Sequence, residues 1–588
     1  MCGCSSAQYS PPPPPPISVS VTPQNSIVAP SQTTQLVATV KNDTTGVTWS
    51  VNNTAGGNST VGTIDAQGNY TAPSVTQSMA FTVTAISKAD ISKSAAAAVS
   101  VIVPGVVAHT NNPQVALYTI APPTTAKVSI EFGLDTNYGL TTWQVDTAMG
   151  GGPTSIYVAG MKAATPYHMR AKVALSDGTQ FADADQTFTT GNPVKTLPVL
   201  TATTTPGMTP QPGLEVLDLI SGTGAITAGV SDLNGNILWA YPVPSGTLQP
   251  IKQLSDGNFL LSFGPSSVTY TPASSATADT VADVREVDLG GNTVKHITPG
   301  QLNDKLAAGG FNLAINTIHH DVLELPNGHW MVLANTTKSF TDLPGLPGNT
   351  DVLGDVLVEL GTNLTPVWTW SEFDHGLDVN RHPMAFPDWT HSNAVLYSPD
   401  DGNLLVSIRH QHWIIKIDYK NGTGSGDILW KLGAGGDFTL VGGSDPTDWF
   451  YAQHKPSFVS PNSSGIFQLV VMDNGDNRVI SGVACGSTAV PCYTTVPILQ
   501  VDESAKTAEI KFRDTLPTAQ YSNFGGNAEP LLNGNIEFDL ASQTPGSNAN
   551  IYEVTNEATP QTVWNLHVTG ETAYRGFRIP SFYPGVQW

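Results

Sequence analysis

HHDVLELPNGHWMVLA, residues 319–334, reads as a strand, a PNG turn and a returning strand that opens on Trp330. The same cadence recurs as IKQLSDGNFLLSF (251–263), HSNAVLYSPDDGNLLVSI (391–408), QHKPSFVSPNSSGIFQLVVM (453–472) and EPLLNGNIEFDL (529–540), with a partial unit, RGFRIPSFYP (575–584), at the end. Between them lie partner hairpins: VSDLNGNILWAY (230–241), LVELGTNLTPVWTW (357–370), IIKIDYKNGTGSGDILWKLG (414–433) and IYEVTNEATPQTVWNL (551–566). A spacing of about 60 to 70 residues is the scale of a propeller blade with insertions. Counting the partial one there are six units, so residues 194–588 are expected to close into a six-bladed β-propeller. A β-helix or two stacked sandwiches would lack the regular glycine-turn and tryptophan rhythm.

Upstream the rhythm is simpler. Residues 17–104 alternate apolar and polar positions in ISVSVTP, TTQLVATV, VTWSVN, AFTVTAIS and AAAVSVIV, which predicts a β-sandwich with Trp49 in its core. Residues 105–193 repeat the pattern in KVSIEFG, TSIYVAG, TPYHMRAKVAL and DQTFTTG, giving a second sandwich; Tyr167 is the candidate corner tyrosine, and His168 beside it reads as a half-exposed strand residue. GTIDAQGNYTAP resembles bacterial immunoglobulin-like domains, and LDTNYGLTT with ATPYHMRAKV resembles fibronectin type III-like modules. Residues 1–16 form a tail ending in an unbroken proline run, Pro11 to Pro16, a stiff polyproline II spacer. The whole chain is therefore expected to be all-β.

Composition narrows the partners. With a net charge of -22 and only 12% charged residues, the 588-residue chain is a poor partner for nucleic acid or an anionic membrane surface. Cys2 and Cys4 in MCGCSS look like the mature end of an exported lipoprotein, anchored at Cys4 or Cys2 in the periplasm or at the cell surface; a mis-assigned start before a disordered tail is the other reading. Cys485 and Cys492 bracket a short loop and are expected to form a disulfide, against the alternative of two free thiols. No apolar run is long enough to span a membrane.

Nine of the thirteen histidines fall between His319 and His454. His319-His320, His391 and His454 each open the first strand of a unit, which predicts that neighbouring blades carry them to one mouth of the central channel. Arg409 ends the second strand of the His391 unit and returns to the same end. If SIRHQHWIIKID (407–418) is read as one strand, alternation turns His410 and His412 away from Arg409, into packing. A metal half-site at His319-His320-Asp321 or at His410 and His412 is disfavoured because no acidic set recurs across the blades, and no cofactor is expected. His329, His375 and His382 read as solvated, and Trp389, Trp413, Trp449, Phe450 and Tyr451 as core residues or ring contacts.

HHDVLELPNG, DWTHSNAV, SIRHQHWIIKID, the QH of YAQHKPSF and VMDNGDNR together resemble the bacterial arylsulfate sulfotransferase family, in the family's order. The resemblance implies transfer of a sulfuryl group from an aryl sulfate ester to a phenolic acceptor without a nucleotide donor. It implies a transiently sulfated histidine at His454, with His320 (or His319), His391, Asn393 and Arg409 around it. Arg478 is a candidate second anion anchor or a plain surface charge, and Asp473-Asn474-Gly475 reads first as a turn. The chemistry suits these residues. Sulfuryl transfer spreads charge over three oxygens, which a guanidinium fork grips, and a neutral imidazole can attack in line. Two rivals remain at this stage: a non-catalytic adhesion or glycan-binding propeller, and an aryl sulfate hydrolase.

Overall fold

Alternation in the N-terminal third becomes paired strands in the computed structural model, which describes residues 13–220, 228–243, 247–264, 268–276, 281–543 and 548–588. Cys2, Cys4 and the first two prolines of the run lie outside the described residues. By internal contacts the chain divides into two units. One holds the chain up to Ala108 with Ala116–Val158 and Pro166–Thr189; the other holds His109–Val115, Ala159–Thr165 and Thr190–Trp588.

In the first unit, Met79–Ser87 pairs with Ser94–Val101 and Val47–Val51, and the inward residues of these strands meet Tyr70 and Leu36 from a facing sheet. Trp49 is buried there, as its place between valines predicts. Farther along, Ala126–Gly133 pairs with Pro166–Leu175. Every second side chain of the latter strand is buried, beginning with Tyr167. These are two mainly antiparallel sandwiches, the first with one parallel pair, Asn25–Val28 beside Ser94–Val101.

The second unit is a six-bladed propeller. Each blade is built on four antiparallel strands, and blade 5 carries a fifth, Thr439–Val441, paired in parallel on its outer edge. Blade 2 runs Thr247–Gln253, Phe259–Gly264, Asp283–Val287, Thr293–Ile297 from inside outward, and blade 3 runs Thr317–Glu324, Trp330–Leu343, Leu346–Leu360, Pro366–Ser371. Blade 4 is Ser392–Ser398, Asn403–Ile408, Trp413–Ile417, Ile428–Leu432. Blade 5 is His454–Ser463, Ile466–Met472, Thr495–Asp502, Thr507–Thr515, and blade 6 is Ala528–Pro530, Ile536–Leu540, Ala549–Val554, Thr562–Thr569. Blade 1 takes Leu214–Ile220, Ala228–Asp232 and Ile237–Tyr241 from the start of the unit and its inner strand, Thr572–Ile579, from the end, with Leu214 opposite Ile579. In return Val199–Thr204 adds to the outside of blade 6. The ring is thus latched twice.

Three local features explain the rhythm. Blades lie between neighbours, so strands such as Asn403–Ile408 and Ile536–Leu540 are buried on both faces and lose the apolar–polar alternation. Each large aliphatic side chain buried this way contributes roughly 1.5–3 kcal/mol. At the turns, Asp256, Asn327 and Asn533 accept backbone N–H groups two residues on, while Gly257, Gly328 and Gly534 take the left-handed φ of +83°, +77° and +89°. The outer-strand tryptophans pin blade to blade. The indole N–H of Trp239 donates to the Leu289 carbonyl, Trp370 to Gly426, Trp564 to Leu233, and Trp430 to the Glu503 carboxylate.

Candidate active site

All six inner strands run the same way, so their starting ends share one mouth. The pairing there is irregular: the register slips between Ile318 and Val322, between Ser392 and Ala394, and between His454 and Ser457. Such bulges re-aim side chains. His320 and His391 also carry left-handed φ values of +57° and +49°, which cost an L-residue conformational energy and cluster at working sites.

The strand starts bring the rings together. His320 stands 4.7 Å from His391, ring centroid to centroid, and 5.7 Å from Tyr574, which in turn lies 6.0 Å from His454. His410 stacks on His391 at 4.5 Å, and its Nε2 is 3.0 Å from Nη1 of Arg409. Nη2 of Arg409 donates to Asp476 (2.9 Å) and to the carbonyl of Asn523 (3.1 Å), while its buried Nε has no hydrogen-bond partner among the described residues. The Tyr574 hydroxyl is buried without a well-formed hydrogen bond, the Arg575 guanidinium lying 5.1 Å from its ring centroid. Two buried donors are thus left over beside the histidines.

Hydrogen bonds fix the histidine tautomers. His454 Nδ1 is 2.7 Å from Asn474 Oδ1, and the Gly525 N–H donates to His454 Nε2 at 3.1 Å. Nδ1 therefore carries the hydrogen and Nε2 the lone pair. His391 Nδ1 donates to Asp388 at 2.6 Å, which turns Nε2 away from that carboxylate. His319 faces away from the mouth: its Nε2 is 3.1 Å from Asp355 and its Nδ1 2.6 Å from His320 Nδ1. Behind Asp355 sits Glu372, raised to about 8 by burial and then by the Asp355 charge.

Electrostatics favour neutral imidazoles. Burial holds His454 well below its ordinary 6.5, and the Arg409 charge adds to this. His320 is lowered by burial and then by the imidazoles of His391, His319 and His454. His410 and His412 are pushed down to about 4 and about 3, again by burial first. Burial works to raise Asp388, but the His391 hydrogen bond and the nearby imidazoles keep it below its ordinary value.

The remaining expectations fall variously. Asn393 is fully buried. Its Nδ2 donates to the Gln453 carbonyl, and its own carbonyl accepts from Arg575. Arg478 is committed elsewhere: it pairs with Asp473 and donates to the carbonyls of Thr447 and Trp449, inside the protein rather than at its surface. SIRHQHWIIKID is not one strand. Arg409–Gln411 form a 3-10 turn and His412 has φ +55°, so alternation does not apply and His410 joins Arg409 and His391. His412 accepts from the Ala452 N–H. His382 is exposed, but His329 pairs with Glu359 and His375 stacks on Trp370. Trp389, Trp413, Trp449, Phe450 and Tyr451 are core residues. Cys485 and Cys492 are disulfide-bonded.

Asp388, His391 and His410 each bring a potential ligand atom within 4.8 Å of the others; Asp388 accepts from His391, and His410 stands 3.0 Å from Arg409. A separate cavity of about 780 Å³, lined by Lys252, Glu324, Tyr397, Lys455 and Glu529, opens at the other end of the inner strands. Sequence reading gave no role to Asp388, Gly525, Tyr574 or Arg575, and took Asn474 as part of a turn. Tyr574 and Arg575 open the inner strand of the sixth unit, where the histidines stand in others, and that position was the available signal.

Residues 209–575 match the model of a protein family described as Arylsulfotransferase (ASST). No curated protein matches the chain. Similar solved structures include a putative 6-phosphogluconolactonase from Bacteroides uniformis, at 10% identity and TM-score 0.31, covering 63% of this chain and 100% of that one. Another is a member of the duf4221 family from Bacteroides vulgatus, at 8% identity and TM-score 0.27, covering 66% and 98%. At such scores neither bears on function.

Proposed function

The chain belongs to the arylsulfotransferase family, and from that premise we propose that it carries a sulfuryl group from an aryl sulfate ester to a phenolic acceptor by way of a sulfated His454. The observation that carries this reading is the tautomer of His454: Nδ1 holds the hydrogen and the neutral Nε2 lone pair faces the Gly525 N–H, with the Tyr574 ring 6.0 Å away and the Arg409 charge acting on the imidazole. Nε2 attacks sulfur, the S–O bond to the aryl group breaks, and the phenolate leaves as the anion with the S–O electrons. The acceptor phenol then attacks the same sulfur, the N–S bond breaks, and its proton passes to His320 or His391. Arg409 Nε and the Tyr574 hydroxyl, both buried, are donors for the sulfuryl oxygens, joined by the Gly525 N–H once Nε2 is bonded to sulfur.

His319 holds His320 from behind and Asp388 holds His391, so the two bases keep their orientation. Asn393 fixes the backbone ahead of His454. In this reading the chain works outside the cytoplasm, tethered through Cys4 or Cys2, with the proline run as spacer.

The test is phenol exchange. With a chromogenic aryl sulfate and a second phenol, initial rates should give the parallel-line pattern of a ping-pong reaction, and His454→Asn should abolish transfer. Product formed only in the presence of water, with no sulfated acceptor, would make the protein a hydrolase instead, and wild-type turnover in His454→Asn would remove the covalent step.

A further inference from the structure

Asn474 lies two residues beyond the second strand of blade 5 and is fully buried. Its amide is oriented by two contacts that do not involve His454: Nδ2 donates to the carbonyls of Ser522 (2.9 Å) and Gly525 (3.1 Å). Oδ1 is therefore the atom that meets His454 Nδ1, and an amide oxygen can accept a hydrogen bond but is too weak a base to take the proton. Among the described residues no carboxylate touches His454. Asp473 is bound by Arg478 and Asp476 by Arg409 and Tyr521. His391 differs on this point, since its Nδ1 rests on the Asp388 carboxylate.

We propose that Asn474 is a positioning residue that keeps the sulfated ring of His454 protonated and hence labile. The inference rests on the sulfohistidine reading above. When the Nε2 lone pair forms the N–S bond and the aryl oxygen departs with the S–O electrons, the ring still holds its Nδ1 hydrogen and becomes an imidazolium bearing SO3. In the second step the N–S electrons return to a ring that has kept that hydrogen, so the leaving group is neutral imidazole. A carboxylate at position 474 would hold or remove the hydrogen, the leaving group would approach imidazolate, and the N–S bond would resist attack. The same carboxylate would make Nε2 a better nucleophile. The two half-reactions should therefore respond in opposite directions, which a merely structural side chain has no reason to produce. Gly525 supports the arrangement. Its φ is +65°, and a Cβ there would come within 2.6 Å of the Ala541 Cβ, so a side chain would push the N–H off Nε2.

The experiment mixes the full chain with 4-nitrophenyl sulfate alone, follows the adduct by intact mass, removes the donor and then adds phenol. Asn474→Asp should form the adduct at least as fast as wild type and lose it to phenol roughly tenfold more slowly. Loss at the wild-type rate overturns the proposal. Asn474→Ser, a neutral acceptor, and Asn474→Leu, which has none, decide the matter if the aspartate variant does not fold. Ser should retain both half-reactions and Leu should slow adduct formation, whereas equal behaviour of the two overturns the assignment. Absence of any adduct in wild type defeats the underlying reading, a result distinct from an adduct whose lifetime ignores residue 474.

Discussion

At the scale of single residues, burial lowers His320, His410 and His454 beside the fixed guanidinium of Arg409. Arg409 is held by Asp476, by Asn523 and by contact with His410, so its position costs nothing to arrange when the substrate arrives. Arg409→Ala should lower kcat roughly 100- to 1000-fold, or about 3–4 kcal/mol of transition-state stabilisation, with an unchanged circular dichroism spectrum. Wild-type kcat in that variant would exclude it from charge stabilisation. The pH profile follows from the direction of the shifts. His454 must be neutral to attack, and its folded value lies well below 6.5, so the acid limb of kcat/KM for the donor should fall below pH 6.5. The same groups affect stability. Between 6.5 and their folded values the unfolded chain binds protons that the folded histidines refuse, so their contribution is intact above 6.5 and is lost as pH falls through that window. Glu372 acts oppositely. Raised to about 8, it stabilises the folded state below its unfolded 4.5 and loses that contribution as pH climbs through 8. Denaturant midpoints across pH 4 to 9 should decline at both ends. That His320, His391 and Arg409 gather at one mouth with His454 was legible in the order of the motifs, whereas the contact of Asn474 was not, because a DNG triplet looks like any turn until its amide is seen against a ring.

At the scale of elements, strands alone do not make the site; the breaks in them do. The slips at 318–322, 392–394 and 454–457 and the turn at Arg409–Gln411 place histidines where regular pairing would have sent them elsewhere. Sequence periodicity registers a regular strand and is blind to a bulge or a one-turn interruption, which is why SIRHQHWIIKID reads as one strand and is two segments joined by a turn. The tryptophan rhythm, in contrast, was legible, and its reason is the indole N–H reaching the next blade. Trp564→Phe should keep the ring packed but leave the Leu233 carbonyl without its donor, costing about 1–3 kcal/mol in denaturant unfolding while transferase activity at 25 °C is retained. An unchanged midpoint would show that the pin between blades 6 and 1 is dispensable.

At the scale of the molecule, the propeller closes only when its last strand joins its first blade, and that strand brings Tyr574 and Arg575 to the mouth. Arg575 is fully buried on Asp321 and the Asn393 carbonyl, so closure and site assembly are one event. A chain ending at Gly570 should lose both the cooperative unfolding transition of the ring and all transfer activity; retained activity would separate the two. The six units were countable in the sequence because every blade repeats one turn chemistry, and RGFRIPSFYP stood out as an incomplete repeat because its partners lie at the far end of the unit. Such long-range pairing leaves no local trace, so Tyr574 became visible only once the ring was closed. The account's central claim is that His454 carries the sulfuryl group between two phenols. Its most direct test is peptide mapping by mass spectrometry after mixing the protein with aryl sulfate alone. The account predicts one SO3 increment on the peptide containing His454, discharged by phenol. A stable increment on any other residue, or turnover with no increment at all, would contradict it.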